Sequence, residues 1–127
     1  MTEHARELIE AAGEQPPGSL RAAIANAMVG LKKRYYGRGP EAAKAYVEDD
    51  YIFVVLEGGL TRNEETLLAD GKEDLVRQYR LAFQETVGPT AVGAVEELTG
   101  RRVVGYHSQI VFTPVRAFEI FVLAPES

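Results

Sequence analysis

The chain contains no cysteine. Disulfides, thiolate metal sites and cysteine nucleophiles are therefore excluded together. Histidine is scarce: only His4 and His107 occur, and no His-x-His or His-x-x-x-His spacing offers a metal its usual paired ligands. No apolar run approaches the roughly 20 residues a membrane-crossing helix needs. There is no internal repeat at solenoid periods and no low-complexity tract. The opening Met1-Thr2-Glu3-His4-Ala5-Arg6-Glu7 is polar and acidic, unlike a secretory signal. A cytoplasmic location is the default expectation. Positive charge is in the minority, with 14 Lys and Arg against 19 Asp and Glu and a net charge of -5. That balance makes nucleic acid an unlikely partner, with weak nucleic-acid binding through the Lys32–Arg38 patch as a further alternative.

What is present suits one globular domain. With 127 residues, 46% of them hydrophobic and 26% charged, the chain can bury a core without metals or disulfides. Paired prolines between glycines in Gly13-Glu14-Gln15-Pro16-Pro17-Gly18 mark a stiff linker. Residues 1–18 read as a helical extension and linker, and 19–127 as a single α+β domain. Glu3 to Ala12 suits a short helix that has only Leu8 and Ile9 as strong anchors.

Ser19 is a good N-cap for a helix carrying Leu20, Ile24, Ala27, Met28, Leu31 and Tyr35 along one face, with Gly37 as its C-cap. Ala45-Tyr46-Val47 and Tyr51 to Leu56 are β-rich and flank the turn-like Glu48-Asp49-Asp50, which predicts a hairpin. Thr61 and Glu64 fit a capping box, opening a helix from Arg62 towards Ala69 that Gly71 ends. A further helix from about Lys72 presents Leu75, Val76, Tyr79, Phe83 and Val87, until Gly88-Pro89 breaks or kinks it. Thr90 to Leu98 is helical again. Arg102–Val111 and Arg116–Leu123 form a second hairpin around Thr113-Pro114. The order α-ββ-αα-ββ predicts an α+β fold, two β-hairpins forming a four-stranded, mainly antiparallel sheet with helices packed on one face. Its other face, expected to carry Val103, Tyr106, Val111, Val115, Phe121 and Leu123, is left apolar. A homodimer or higher homo-oligomer is expected to cover it.

The densest chemistry is Lys32 to Pro40, where four positive charges fall within seven residues. Lys32, Lys33 and Arg34 in the last helical turn complement the helix dipole. Arg38 lies beyond the helix end, between Gly37 and Gly39. A candidate anion or small-ligand site comprises Lys33, Tyr36, Gly37, Arg38 and Gly39, through backbone donors and the guanidinium fork. The competing reading is a tight connection that needs glycine dihedrals. The loop lacks the lysine-serine ending of a P-loop. Tyr36 beside basic residues can stack a base or serve an interface. His107 and Ser108 are adjacent on a strand, point to opposite faces and do not make a catalytic pair. Glu57-Gly58-Gly59-Leu60-Thr61 offers free donors at a helix start, but the capping box uses some of them. The paired acids read as solvated surface. No catalytic residue, metal or cofactor is expected, and no enzymatic activity.

Four blocks carry a family resemblance: Tyr35-Tyr36-Gly37-Arg38-Gly39-Pro40, Val54 to Thr61, Glu96 to Val104, and Phe121-Val122-Leu123. In this order they resemble the DUF2294 family, also labelled the MpsC-like domain, over about residues 20–124. The resemblance implies a link to a cation-translocating, membrane-potential-generating system. Without a membrane span, the implied role is a soluble accessory or regulatory subunit with a protein partner at a membrane transport system. It transfers no catalytic residues.

Overall fold

A computed structural model describes residues 19–126; the expected N-terminal helix and linker lie outside them. Helix α1 (Leu20–Tyr36) is followed by β1 (Ala42–Glu48) and β2 (Tyr51–Glu57). Helices α2 (Arg62–Ala69) and α3 (Glu73–Thr99) lead to β3 (Val103–Phe112) and β4 (Val115–Leu123). The four strands form one antiparallel sheet in the order β1-β2-β4-β3. The hairpins thus join through β2 and β4, the strands richest in large apolar residues.

Local chemistry accounts for most boundaries. The Ser19 side chain accepts from the Ala22 amide at 3.1 Å. Gly37 ends α1 at φ 80°, its N–H donating to Lys33 O, where a side chain would be strained. The Asp49-Asp50 turn is a two-residue loop, since Glu48 pairs with Tyr51. Thr61 and Glu64 form the reciprocal capping box at 2.8 and 3.2 Å.

Two expectations are corrected. Gly88-Pro89 does not break the helix: α3 runs unbroken for 27 residues with Pro89 inside. Val76, Arg80, Gln84, Gly88, Ala91 and Val95 are all buried along it, at spacings of three and four residues. One continuous packed stripe outweighs the single hydrogen bond that proline removes. The stripe is also rotated from the expected one, leaving Leu75 and Tyr79 about half exposed while Arg80 and Gln84 turn inward.

The second correction concerns the faces of the sheet. Phe121, Leu123 and Tyr106 lie on the helix-covered side, with Phe121 fully buried. They join Ala43, Ala45, Ile52, Val54 and Leu56 from the other strands and Ile24, Ala25, Met28, Ala91 and Val95 from the helices. The uncovered side instead presents Phe53, Phe118, Ile120 and Val122. Phe53 and Phe118 stack there at 5.6 Å between ring centroids. The β4 face that carries Glu119, Phe121 and Leu123 is the inner one, and Glu119 finds partners under the helices.

Candidate functional site

Those partners form a continuous polar seam through the interior. Glu119, 2% exposed, lies within 3.3 Å of Lys32 Nζ from α1. Tyr106 donates its hydroxyl to Glu119 Oε1 at 2.9 Å, and Ser108 donates to Oε2. Both hydroxyls come from β3, where Tyr106 pairs with Phe121 and Ser108 with Glu119 itself. Lys32 Nζ also sits 5.4 Å from the Tyr36 ring centroid. The Arg80 guanidinium approaches the same ring to 4.0 Å. Arg80 then grips Glu64 with a two-pronged contact, Nε to Oε2 at 2.5 Å and Nη2 to Oε1 at 2.6 Å. Its Nη2 also donates to Gly59 O at 3.3 Å.

The electrostatics are closed. Two carboxylates meet two cations, so the four charges sum to zero. Burial disfavours the Glu64 anion, but the Arg80 hydrogen bonds and the Thr61 amide outweigh it and hold the carboxyl below its ordinary range. Burial likewise works against the Arg80 cation, and the Glu64 contact reverses that, leaving its pKa raised. Burial pushes the Tyr36 hydroxyl up to about 12, against the lowering pull of Arg80. Burial also raises Tyr106, reinforced by Glu119. A cavity of about 20 Å³ lies among Lys32, Tyr36, Gln84, Tyr106 and Glu119, room for about one water molecule. Such an arrangement holds elements together.

The sequence-derived site residues are not gathered at one point. Tyr36 turns inward, between Arg80 and Phe83, whose ring centroid lies 4.6 Å away. Lys33 is exposed, and its Cβ lies 3.4 Å from where a Cβ on Gly39 would stand. The Gly37 N–H is committed to Lys33 O. Arg38 faces solvent and pairs with Glu65 at 3.2 Å. A second cleft, of about 430 Å³, does contain Arg38, with Arg116, Glu41, Glu57, Gly58 and Gly59; in it Arg116 pairs with Glu57 at 2.9 Å.

Sequence reasoning missed Arg80 and Glu119. A signal existed for both: Arg80 falls four residues after Val76 and four before Gln84, and Glu119 sits between Ala117 and Phe121 in the strand alternation. It also missed Arg101, which reaches Asp49 O at 3.1 Å, Asp50 Oδ1 at 2.6 Å and Ala124 O at 2.8 Å. This arginine fastens the end of α3 to the β1–β2 turn. Among the described residues, no group of three or more His, Cys, Asp or Glu side chains could hold a metal ion.

The fold is thus a two-layer α+β domain organised on a buried ionic seam. The chain belongs to the MpsC family, described as "Na+-translocating membrane potential-generating system (MpsC)", whose model matches residues 17–125. No curated protein and no solved structure matches the chain. Among the described residues, no helix is long and apolar enough to cross a membrane. The first two of the resembling blocks meet in space: a Cβ on Gly59, at φ 86°, would lie 3.0 Å from Pro40 Cα. Glycine is required there on both counts.

The raised tyrosines give an alkaline prediction. A folded-state pKa above the unfolded value of about 10 stabilises the fold below pH ~10. That contribution is lost as pH rises through the folded value, about 12 for Tyr36. The urea midpoint is expected to fall between about pH 10 and about pH 12, and Tyr36→Phe is expected to flatten part of that fall. Equal slopes for wild type and variant would show that the hydroxyl is not buried as described.

Proposed function

We propose that this protein is a non-enzymatic accessory or regulatory subunit of a sodium-dependent, membrane-potential-generating transport system. It acts in the cytoplasm as an oligomeric binding module, and another component carries the ion. The observation that carries this reading is the outer face of the sheet, which no described element covers, with the stacked Phe53 and Phe118, in a chain whose family description names such a system. A half-covered sheet with aromatic side chains at its centre is the kind of surface that protein partners cover. The closed ionic seam supports a structural use for the interior charges. The test has two arms. Purified protein added to sodium-loaded liposomes is expected to pass no Na+. In its own host cell, loss of the chain is expected to lower the membrane potential reported by a voltage-sensitive dye. Wild type restores it; Phe118→Asp, with folding checked by circular dichroism, does not. Full rescue by Phe118→Asp, or an unchanged potential without the chain, counts against the proposal.

A second reading makes the protein a small-molecule or anion sensor with its site at the Gly37–Pro40 loop. It is favoured by one observation: Arg38 lines the 430 Å³ cleft beside the left-handed Gly58-Gly59 backbone. Its pairing with Glu65 is solvent-exposed, so little free energy, about 0–1 kcal/mol, resists displacement. Millimolar phosphate or nucleotide is then expected to raise the melting temperature of the wild type and not of Arg38→Ala. Equal shifts in both proteins would remove this reading.

A further inference from the structure

An antiparallel sheet in an open fold has two outer edges, and unpaired backbone N–H and C=O groups along an edge recruit other strands. Natural edges are blunted with charges, proline, bulges or brevity. The two edges of this sheet differ in that respect. β1 carries Lys44 and Glu48 within seven residues and ends in Asp49-Asp50. β3 is ten residues long, Val-Val-Gly-Tyr-His-Ser-Gln-Ile-Val-Phe, with no Lys, Arg, Asp, Glu or Pro. Its single irregularity falls between Val103 and Gly105; from Gly105 to Phe112 the register against β4 is unbroken. Among the described residues nothing pairs with its outer side.

The surroundings of this edge suit a copy of itself. Helix α3 lies along β3: Gly88 packs near the Tyr106 ring, and Leu81, Glu85, Tyr106 and His107 line a cleft of about 240 Å³. Leu81 is 53% exposed beside the edge, and Val104 is 54% exposed within it. The ends of the strand differ in charge. Exposed Arg102 precedes its first residue. At the other end the Arg77 guanidinium sits 5.2 Å from the Phe112 ring centroid and holds the exposed Glu73 and Asp74 at 2.9 and 3.1 Å. That end carries two acids against one base.

We propose that two copies of the chain pair through the outer edges of β3, antiparallel about a two-fold axis near His107, to form a continuous eight-stranded sheet. This rests on the oligomeric part of the functional reading above and names its surface. Antiparallel pairing satisfies the edge groups of both strands at once, as an isologous interface requires. It brings Arg102 of each copy towards the acidic Glu73-Asp74 end of the other. It sets the two α3 helices side by side, with Leu81 at the seam. The outer faces of the two sheets become one surface twice as wide, free for a further partner.

The absence of cysteine makes the test direct, because one introduced cysteine is a unique labelling point. His107→Cys and Tyr46→Cys, both at exposed positions, are spin-labelled in the full chain, and inter-subunit distances are read by pulsed electron resonance. Gln109→Cys serves as the second edge label if His107→Cys does not fold. Edge pairing puts the two β3 backbones about 5 Å apart and the two β1 strands seven spacings apart, about 34 Å. Short distances at 107 with long ones at 46 bear the proposal out. A dimer with the reverse pattern, or with short distances at both positions, overturns edge pairing through β3 and leaves the oligomeric reading standing. A monomer by sedimentation at tens of micromolar overturns both.

Discussion

The contact between Arg80 and Glu64 is the constraint on which the rest of the architecture turns. It spans 16 residues in sequence and joins the first turn of α2 to the N-terminal third of α3. Glu64 is also the reciprocal member of the Thr61 capping box, so the same carboxylate starts a helix and docks it. Arg80 extends the grip to Gly59 O and to the face of Tyr36, the penultimate contact before the seam reaches Lys32 and Glu119. Five elements are ordered by one seam in which two cations share the Tyr36 ring and each meets a carboxylate. Removing one partner of such a buried pair strands the other, at a cost of about 3–5 kcal/mol, although the intact pair itself adds little net stability. The seam therefore specifies an arrangement more than it strengthens one.

Much of the layout was legible in the sequence. Ser19, Gly37, Thr61 with Glu64, and Asp49-Asp50 each encode a boundary through their own backbone chemistry, and each stands where that chemistry puts it. The order of elements and the sheet with helices on one side followed from them. Strand order did not, because two hairpins can meet through either pair of edges. Pro89 misled because a local penalty was weighed without the packed stripe that outweighs it. The burial of Arg80 and Glu119 was not legible for a related reason. Pattern reading assigns charge to the surface, and only partners distant in sequence make these two residues inner ones. The same blind spot inverted the two faces of β4: Phe121 and Leu123, expected on the uncovered face, share the inner one with Glu119. At the Lys33–Gly39 loop, residue types that looked convergent were dispersed, since Tyr36 was needed under Arg80.

This division of labour bears on function. The interior spends its ionisable groups on one another, and the chemistry left for partners is on the outside: the aromatic face of the sheet, the unguarded edge of β3, and the Arg38 cleft. A family tied by description to a membrane system, in a domain without a membrane-crossing helix among its described residues, is consistent with work done by contact. The segments of the resembling blocks serve that scaffold. Gly59 lets the Gly39-Pro40 loop approach, and Arg101 ties the turn of the first hairpin to the residue that follows the last strand.

The account stands or falls on whether the Arg80–Glu64 pair acts as a unit. A double-mutant cycle with Glu64→Gln, which keeps a residue able to complete the capping box, and Arg80→Met measures this by urea unfolding. Each single change is expected to cost about 3–5 kcal/mol, with the double mutant far more stable than the sum of the two losses implies. Additive effects, or single changes within about 0.5 kcal/mol of wild type, would contradict the claim that this buried pair organises the fold.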